Sequence, residues 1–294
     1  MATTPDDAVR RITGREPVAW RAMDEGAYSP SGRWVVRFAD GGSAFVKAEP
    51  RAYDGYGVAV EHLVYATVSL PCLPRLVGYD TGPPLVLVTE DLSNARWGTP
   101  VTDADAITLR DATDAVAAVE PPAALPPLED ERRWPAYVTD PAPFVATGLA
   151  GERWARAHLP ALADAEAAAD ARGDRLVHGD VWLQNWCRAG RGLVIVDWAG
   201  ARRADPLTMY AGGEAAVRAA GGPHGLVLQG RPEWAAWAAG LAAYHLTRAD
   251  PAEERLTETL RREALATLRW ACDELGLPPA DSGARLTALG PWRP

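Results

Sequence analysis

An α+β fold in two lobes is predicted by two observations. The first ninety residues read as strand, strand, strand, helix, strand, strand, whereas beyond Thr89 the chain becomes Ala-rich and helical. A sheet carrying one helix is therefore expected at the N-terminal end, followed by a larger and mainly helical unit.

A short opening helix is predicted first, with Thr4 as its cap, Pro5 at its first position and Gly14 closing it. Strands rich in Val, Leu and aromatics follow at Val18 to Met23, Arg33 to Ala39 and Ser43 to Lys47. Asp40-Gly41-Gly42 joins the second and third as a tight hairpin, because glycine supplies the positive φ such turns need. Val58 to Val68 carries apolar side chains at helical spacing, and strands resume at Leu76 to Tyr79 and Leu85 to Thr89. Thr102, with Asp105 three residues on, has the form of a helix cap. The proline-dense stretch over 120–143 reads as an irregular connector or lid. Two short apolar segments, Leu176-Val177 and Leu193 to Val196, bracket a loop, and helices then run to Leu275. The best-signalled of these begins at Asp250-Pro251-Ala252-Glu253 and ends at Gly276. The expected units are 1–92 and 93–294.

Composition narrows the class. With 294 residues, 48% hydrophobic and 23% charged, the chain has the apolar content to fold, and its net charge of −9 disfavours a nucleic-acid or anionic-membrane partner. Cys72, Cys187 and Cys272 are far apart and form no Cys-x-x-Cys pair, so a reducing cytoplasm fits best. No apolar run reaches the ~18 residues of a membrane span, and Met1 to Asp7 lack the regions of a signal peptide, so a protein neither exported nor embedded is expected. Of the 30 basic residues 29 are Arg, leaving Lys47 as the one Lys, and the two Asn are Asn94 and Asn185. Under such a bias, Lys47 and Asn185 stand out.

The sequence His178-Gly179-Asp180-Val181-Trp182-Leu183-Gln184-Asn185, followed by Val194-Ile195-Val196-Asp197-Trp198, carries the chemistry. By composition, His-Gly-Asp with Asn five residues after the Asp should arise by chance at about 0.0002 places in the chain. Its physical reading is phosphoryl transfer, in which the protein positions reactants and Mg²⁺ takes oxygen ligands. Asp180 would orient and deprotonate an acceptor hydroxyl, while Asn185 and Asp197 would hold the metal against nucleotide phosphates. Lys47, ending a strand, offers a compact point charge to phosphate oxygens.

These residues resemble the aminoglycoside phosphotransferase and choline kinase-like small-molecule kinases, which have the protein-kinase-like fold. The resemblance extends over roughly residues 15–275 in element order and is specific mainly at His178 to Asp197. It implies ATP and Mg²⁺, with Asp180 as catalytic base, Asn185 and Asp197 as metal ligands, Lys47 as phosphate-binding lysine and Glu61 as its ion-pair partner. Glu90, Asp91 and Leu92 become a hinge whose backbone meets the adenine. His178 becomes a structural residue of the loop.

Departures from the family pattern shape the rest. Gly26 to Gly32 has no Gly-x-Gly-x-x-Gly, leaving Ser29 and Ser31 as candidate phosphate contacts. Seven residues separate Asp197 from Asp205-Pro206, too few for a long phosphorylated segment, which favours a small-molecule acceptor. Many relatives carry an Asp where this chain has Met209, so the loop must be braced differently or activity is reduced. Trp182, Trp186 and Trp198 could line an acceptor pocket, with core packing favoured for Trp186 and for Trp234, Trp237 and Trp270. Glu214, Glu233, Asp250, Glu253 and Glu254 could form a cation-recognising wall, although most such charges face water. The expected acceptor is polar or cationic, and the chain a monomer or homodimer. Antibiotic inactivation leads, with a metabolic kinase of choline, a sugar or an amino alcohol as alternative. A nucleotide-binding scaffold with a degenerate kinase fold is opposed by the intact Lys47, Asp180, Asn185 and Asp197.

Overall fold

Alternation across neighbouring strands builds the first layer. In the computed structural model, which describes residues 4–23, 31–52, 55–129, 132–250 and 254–280, five strands form an antiparallel sheet in the order β1-β2-β3-β5-β4. They are β1 (Pro17–Ala22), β2 (Gly32–Phe38), β3 (Ser43–Glu49), β4 (Leu76–Asp80) and β5 (Leu85–Glu90). Side chains two apart share a face. Trp34, Val36, Phe38, Ala44, Val46, Ala48, Val86 and Val88 bury themselves together with Ala8 and Val9 of helix α1 (Asp6–Thr13). The opposite face presents Arg33, Val35, Phe45, Lys47, Leu87 and Thr89 to a cleft. The hairpin forms as expected, with Gly41 at φ 89° and the Phe38 amide donating to the Gly42 carbonyl at 2.9 Å.

The α1 cap differs from expectation. Pro5 occupies the cap position, the helix begins at Asp6, and the Thr4 hydroxyl donates to the Asp6 carboxylate at 2.6 Å instead of accepting a backbone amide. Gly14 does close the helix in the left-handed conformation, at φ 65°. Helix α2 (Val58–Thr67) starts against Glu49, whose carboxylate accepts the Val58 amide at 3.1 Å and so satisfies a first-turn donor.

Beyond the sheet the chain forms β6 (Arg96–Trp97), α3 (Asp103–Ala117), α4 (Trp134–Thr139), α5 (Ala142–Ala146), α6 (Glu152–Ala168), β7 (Arg175–Val177), β8 (Trp186–Ala189), β9 (Gly192–Ile195), β10 (Arg202–Ala204), α7 (Leu207–Ala219), α8 (Pro232–Arg248) and α9 (Glu254–Leu275). The proline-dense connector is therefore not wholly irregular. Prolines fall in the first turns of α4 and α5, where a missing N–H costs nothing. The apolar segments at β7 and β9 do not pair with each other: β9 joins β8 and β6, and β7 joins β10. Strands of two to four residues such as β6, β8 and β10 are too short to show a period, so the sequence did not betray them. For α9, residues 251–253 of the expected start lie outside the described residues, and Gly276 ends the helix at φ 64°.

Two cores hold this part together. Trp234, Trp237 and Trp270 are buried in one with Trp134, Trp154 and Leu268. The other is continuous from α2, through Val64 and Leu87, to Leu109, Leu176, Ile195, Trp198 and Met209. Thus α2 packs on the segment that follows β9 as well as on its own sheet. No described helix is long and apolar enough to cross a membrane, and the three cysteines are free and buried.

Thr102 and Asp105 form the expected capping box, with the Asp105 carboxylate accepting the Thr102 amide at 2.8 Å. Arg188 of β8 also donates to Asp105, tying α3 to the small sheet. Burial alone would raise the Asp105 carboxyl, but the hydrogen bonds from Arg188 and Thr102 outweigh it and hold it at about 2. A depressed folded pKa stabilises above the unfolded value and is lost as pH falls through the folded one. Asp105→Asn should therefore cost about 2 kcal/mol at neutral pH, a difference that shrinks as pH falls below about 4. Urea denaturation of both proteins across that range measures it.

Candidate active site

The loop after β7 is built from a few close contacts. His178 is buried, its Nε2 2.8 Å from the Val196 carbonyl, and its Nδ1 accepts the Asp180 amide at 3.2 Å. Burial pushes its imidazole down to about 4, so the ring is a neutral brace. Gly179 follows at φ 81°, and a Cβ there would lie 2.3 Å from the Gly200 carbonyl oxygen. Only glycine allows both that φ and that approach. A 3-10 turn over Leu183–Asn185 then brings Asn185 back, its Nδ2 donating to the Asp180 carbonyl and to Asp180 Oδ2, each at 2.8 Å. The Asn185 carbonyl in turn accepts the Val196 amide at 2.8 Å. These bonds brace the loop without help from position 209, where Met209 is packed in the core.

Asp197, just after β9, has φ 61°, the one positive φ at a non-glycine among the described residues. Its carboxylate accepts Lys47 Nζ at 2.8 Å, and the same ammonium donates to Glu61 at 2.6 Å. The Tyr65 hydroxyl donates to the other oxygen of Glu61 at 3.1 Å. Burial disfavours the Lys47 charge, but Asp197 and Glu61 outweigh it and raise its pKa. Burial would raise Asp197 too, yet Lys47 and then Arg33 hold it well below the usual carboxylate range. Glu61 moves the other way, pushed up by burial against the pull of Lys47. Asp180 lies open to solvent but crowded by protein. That crowding, with the charge of Asp197 added, pushes its carboxyl up to about 7 against the opposing hydrogen bond from Asn185.

Lys47, Glu61, Asn185 and Asp197 line one cleft of about 1120 Å³, mouth included, together with Thr89, Glu90, Asp91, Leu92 and Trp97. The sequence-derived residues on either side of the sheet's edge are thus brought together. Around Glu90 to Leu92, the Leu92 carbonyl accepts the Trp97 indole N–H at 3.0 Å, and the Glu90 carboxylate accepts the Arg75 amide at 2.9 Å and pairs with Arg191. Ser31 is placed elsewhere: it is buried and donates to Glu49 at 3.2 Å, below the start of α2. Ser29 lies outside the described residues.

The donor set suits a hard cation. Asn185 spends its amide nitrogen on Asp180, leaving its oxygen as the ligand atom, and Asp197 adds a carboxylate. Among the described residues no group of three or more His, Cys, Asp or Glu could hold a metal.

Three residues of the region escaped the sequence reading: Arg33, Tyr65 and Glu263. Arg33 is one of 29 Arg and carried no signal of its own, although its alternation with Trp34 would have put it on the Lys47 face. Glu263 of α9 is 7% exposed, its carbonyl accepts the Thr267 hydroxyl at 2.9 Å while its carboxyl makes no hydrogen bond or ion pair among the described residues, and it lines a small pocket with Trp182, Gln184 and Arg262. Of the acids expected to form a wall, Glu214 and Glu233 are already engaged within the protein. Glu214 is buried, accepting Arg218 and the Gly225 and Val227 amides, and Glu233 pairs with Arg231. Glu253 lies outside the described residues, and Glu254 is exposed. Trp198 is fully buried, donating to the Ile195 carbonyl at 2.9 Å, so it joins Trp186 in the core and leaves Trp182 as the half-buried ring of the three.

Comparison with known proteins bears on this geometry. A family model described as "Phosphotransferase enzyme family" matches residues 12–208. No curated protein matches the chain. Among solved structures, a thermostable mutant of the aminoglycoside phosphotransferase APH(4)-Ia, in ternary complex with ADP and hygromycin B, is 15% identical with a TM-score of 0.56, covering 91% of this chain and 98% of that one. A putative fructosamine-3-kinase from Thermobifida fusca is 22% identical with a TM-score of 0.54, over 92% of this chain and 100% of that one. Choline kinase LicA from Streptococcus pneumoniae is 11% identical with a TM-score of 0.55, over 91% of this chain and 97% of that one. The likeness establishes the fold as protein-kinase-like.

Gly179→Ala forces a left-handed φ and a contact with the Gly200 carbonyl at once. It should cost at least about 2 kcal/mol of stability. Thermal or urea denaturation reads this loss, and the small Gly190→Ala cost expected in open space is the control.

Proposed function

Because the chain belongs to the phosphotransferase enzyme family, we propose that it moves the γ-phosphate of ATP to a hydroxyl of a small polar or cationic molecule, and that the acceptor is an antibiotic inactivated by the transfer. One observation carries the transfer reading: Lys47, Asn185 and Asp197, from distant parts of the chain, line a single cleft beside Asp180. In this reading residues 1–92 are the nucleotide lobe, Glu90 to Leu92 the hinge, and 93–294 the lobe that holds the acceptor.

Asp180 is the catalytic base. Its carboxyl, raised toward neutrality, accepts the acceptor's hydroxyl proton as the oxygen attacks, and the Asn185 amide fixes the carboxyl's direction. Lys47 holds phosphate oxygens, oriented by Glu61. Asn185 and Asp197 would hold Mg²⁺, which would supply positive charge against the phosphate oxygens. Positioning supplies most of the remaining rate.

Glu263 favours a cationic acceptor. Burial pushes its carboxyl well above the usual carboxylate range, and the charge of Asp180 pushes it further, which puts Glu263 within electrostatic reach of the base. A buried acid without a partner is costly unless a ligand supplies one. An amine on the acceptor, stacked beside Trp182, does so.

Asp180→Asn should cut turnover by about a hundred- to ten-thousand-fold while nucleotide affinity stays within a few-fold, as measured by coupled assay and calorimetry. Turnover that survives in the variant with every acceptor of a panel would show the base misassigned. Glu263→Gln should lower kcat/KM by about ten- to a hundredfold for acceptors bearing an amine and leave amine-free analogues nearly unchanged. Expression in a sensitive host against aminoglycosides, macrolides, peptides and nucleoside antibiotics tests the antibiotic assignment. Turnover confined to choline, sugars or amino alcohols in vitro would instead identify a metabolic kinase.

A further inference from the structure

The small pocket beside the catalytic loop carries two polar groups that the described residues leave unanswered. It measures about 450 Å³, mouth included, and lies between Trp182 and Gln184 of the loop and Ala216, Ala219, Arg262 and Glu263 of the helices. The alanines of α7 are small, which leaves room beside α9. Glu263 is buried, and its carboxyl has no partner among the described residues. Arg262, its side chain 13% exposed, donates from Nε to Glu258 at 2.8 Å, but its Nη1 is buried without an acceptor. Consecutive helix positions point about 100° apart, so the two side chains reach one pocket without pairing with each other. An orphaned donor and an orphaned acid each cost free energy when buried. One ligand that satisfies both recovers both costs.

The chemistry of each group selects what it takes. Burial drives the Glu263 carboxyl toward its neutral form, and the charge of Asp180 adds to this, so a cation is what restores its ionisation. An ammonium does so and donates the hydrogen bond as well. Arg262 differs, because Glu258, which also takes the more exposed Arg261 at a looser 3.4 Å, already supplies its counter-charge. What Nη1 lacks is an acceptor atom and not an anion. A carbonyl oxygen is an acceptor that brings no donor of its own, whereas a hydroxyl adds an O–H that needs a further partner. A carboxylate would put a second negative charge beside Glu263. Gln184 offers both a donor and an acceptor, and so favours neither.

Resting on the transfer reading above, we infer that this pocket is the acceptor's head-group subsite and takes an α-aminoacyl group, its ammonium on Glu263 and its neutral carbonyl oxygen on Arg262 Nη1. Two side chains adjacent in sequence thereby read two groups adjacent in the ligand. The acceptor is then an amine with an amide or ester carbonyl on the next carbon, and its reacting hydroxyl extends from there toward Asp180, which precedes Trp182 in the same loop. A quaternary ammonium has no N–H to give Glu263. A plain sugar has no charge to give it.

Saturation-transfer NMR titrations of the full chain with alaninamide, isopropylamine, propionamide, alaninol and alanine, each at millimolar concentration, test this. The probes are close in size: alaninamide carries both groups, isopropylamine lacks the carbonyl, and propionamide lacks the amine. Alaninol and alanine exchange the amide for a hydroxyl and a carboxylate. Alaninamide should bind at least about tenfold more tightly than isopropylamine or propionamide, and about fivefold more tightly than alaninol or alanine. Glu263→Gln should weaken alaninamide about tenfold and leave propionamide within about twofold. Arg262→Gln should bring alaninamide to the affinity of isopropylamine and leave isopropylamine within about twofold. The assignment is overturned if isopropylamine, alaninol or alanine equals alaninamide, or if both substitutions leave binding intact. Should either variant fail to fold, the ranking of the probes on wild-type protein decides alone. MgATP binding without probe binding overturns this inference and spares the transfer reading. Probe binding by a wild-type protein that takes up no MgATP supports the subsite and overturns the transfer reading.

Discussion

The Lys47 ammonium, clasped between Glu61 and Asp197, is the interaction on which the rest of the site depends. It ties together three elements far apart in the sequence: β3 in the sheet, α2 packed against it, and the turn after β9. A charge this deeply buried is tolerable only when its partners are in place, because desolvation would otherwise exceed the Coulombic gain. Here two carboxylates flank one ammonium, and the result is asymmetric: Asp197 stays ionised while Glu61 is pushed up by burial. The site therefore holds its charge balance through placement, with Asp197, the anion that follows β9, kept charged.

That arrangement needs rigid support, which packing and backbone geometry provide. The core under α2 runs without a break into β7, β9 and α7, so the helix carrying Glu61 rests on the same apolar mass as the loop carrying Asp180. His178 contributes as a buried neutral ring, not as an acid or base, and Gly179 contributes by having no side chain at all. The loop thereby replaces the tie that an acid at position 209 would give with main-chain hydrogen bonds through Asn185 and Val196. Several weak, well-aligned contacts substitute for one strong one.

Charge is distributed differently on the two sides of Asp180. Lys47 and Arg33 line the cleft under the sheet, while the buried Glu263 of α9 lines a small pocket with Trp182, Gln184 and Arg262. Asp180 is tied to the first cleft through Asn185, and its charge is felt by Glu263 in the second pocket. The acids that merely looked available in the sequence, Glu214 and Glu233, are consumed by local hydrogen bonds and an ion pair.

Local order was legible in the residues themselves. Strand alternation, the Asp40-Gly41-Gly42 hairpin, the Thr102–Asp105 capping box and the rare Lys47 and Asn185 are all short-range or compositional signals, and each found its place in the structure. The family's motif at His178 to Asp197 was equally plain, because phosphoryl transfer needs those residue types at fixed spacing. What the chain alone could not reveal was which of many similar residues face each other. Arg33 among 29 Arg and Glu263 among the acids acquire meaning from partners far away in sequence, and three short strands exist only because neighbours complete their hydrogen bonds. Spacing along the chain is a local property, whereas desolvation and Coulomb interaction depend on distance in space, and only the folded structure sets that distance.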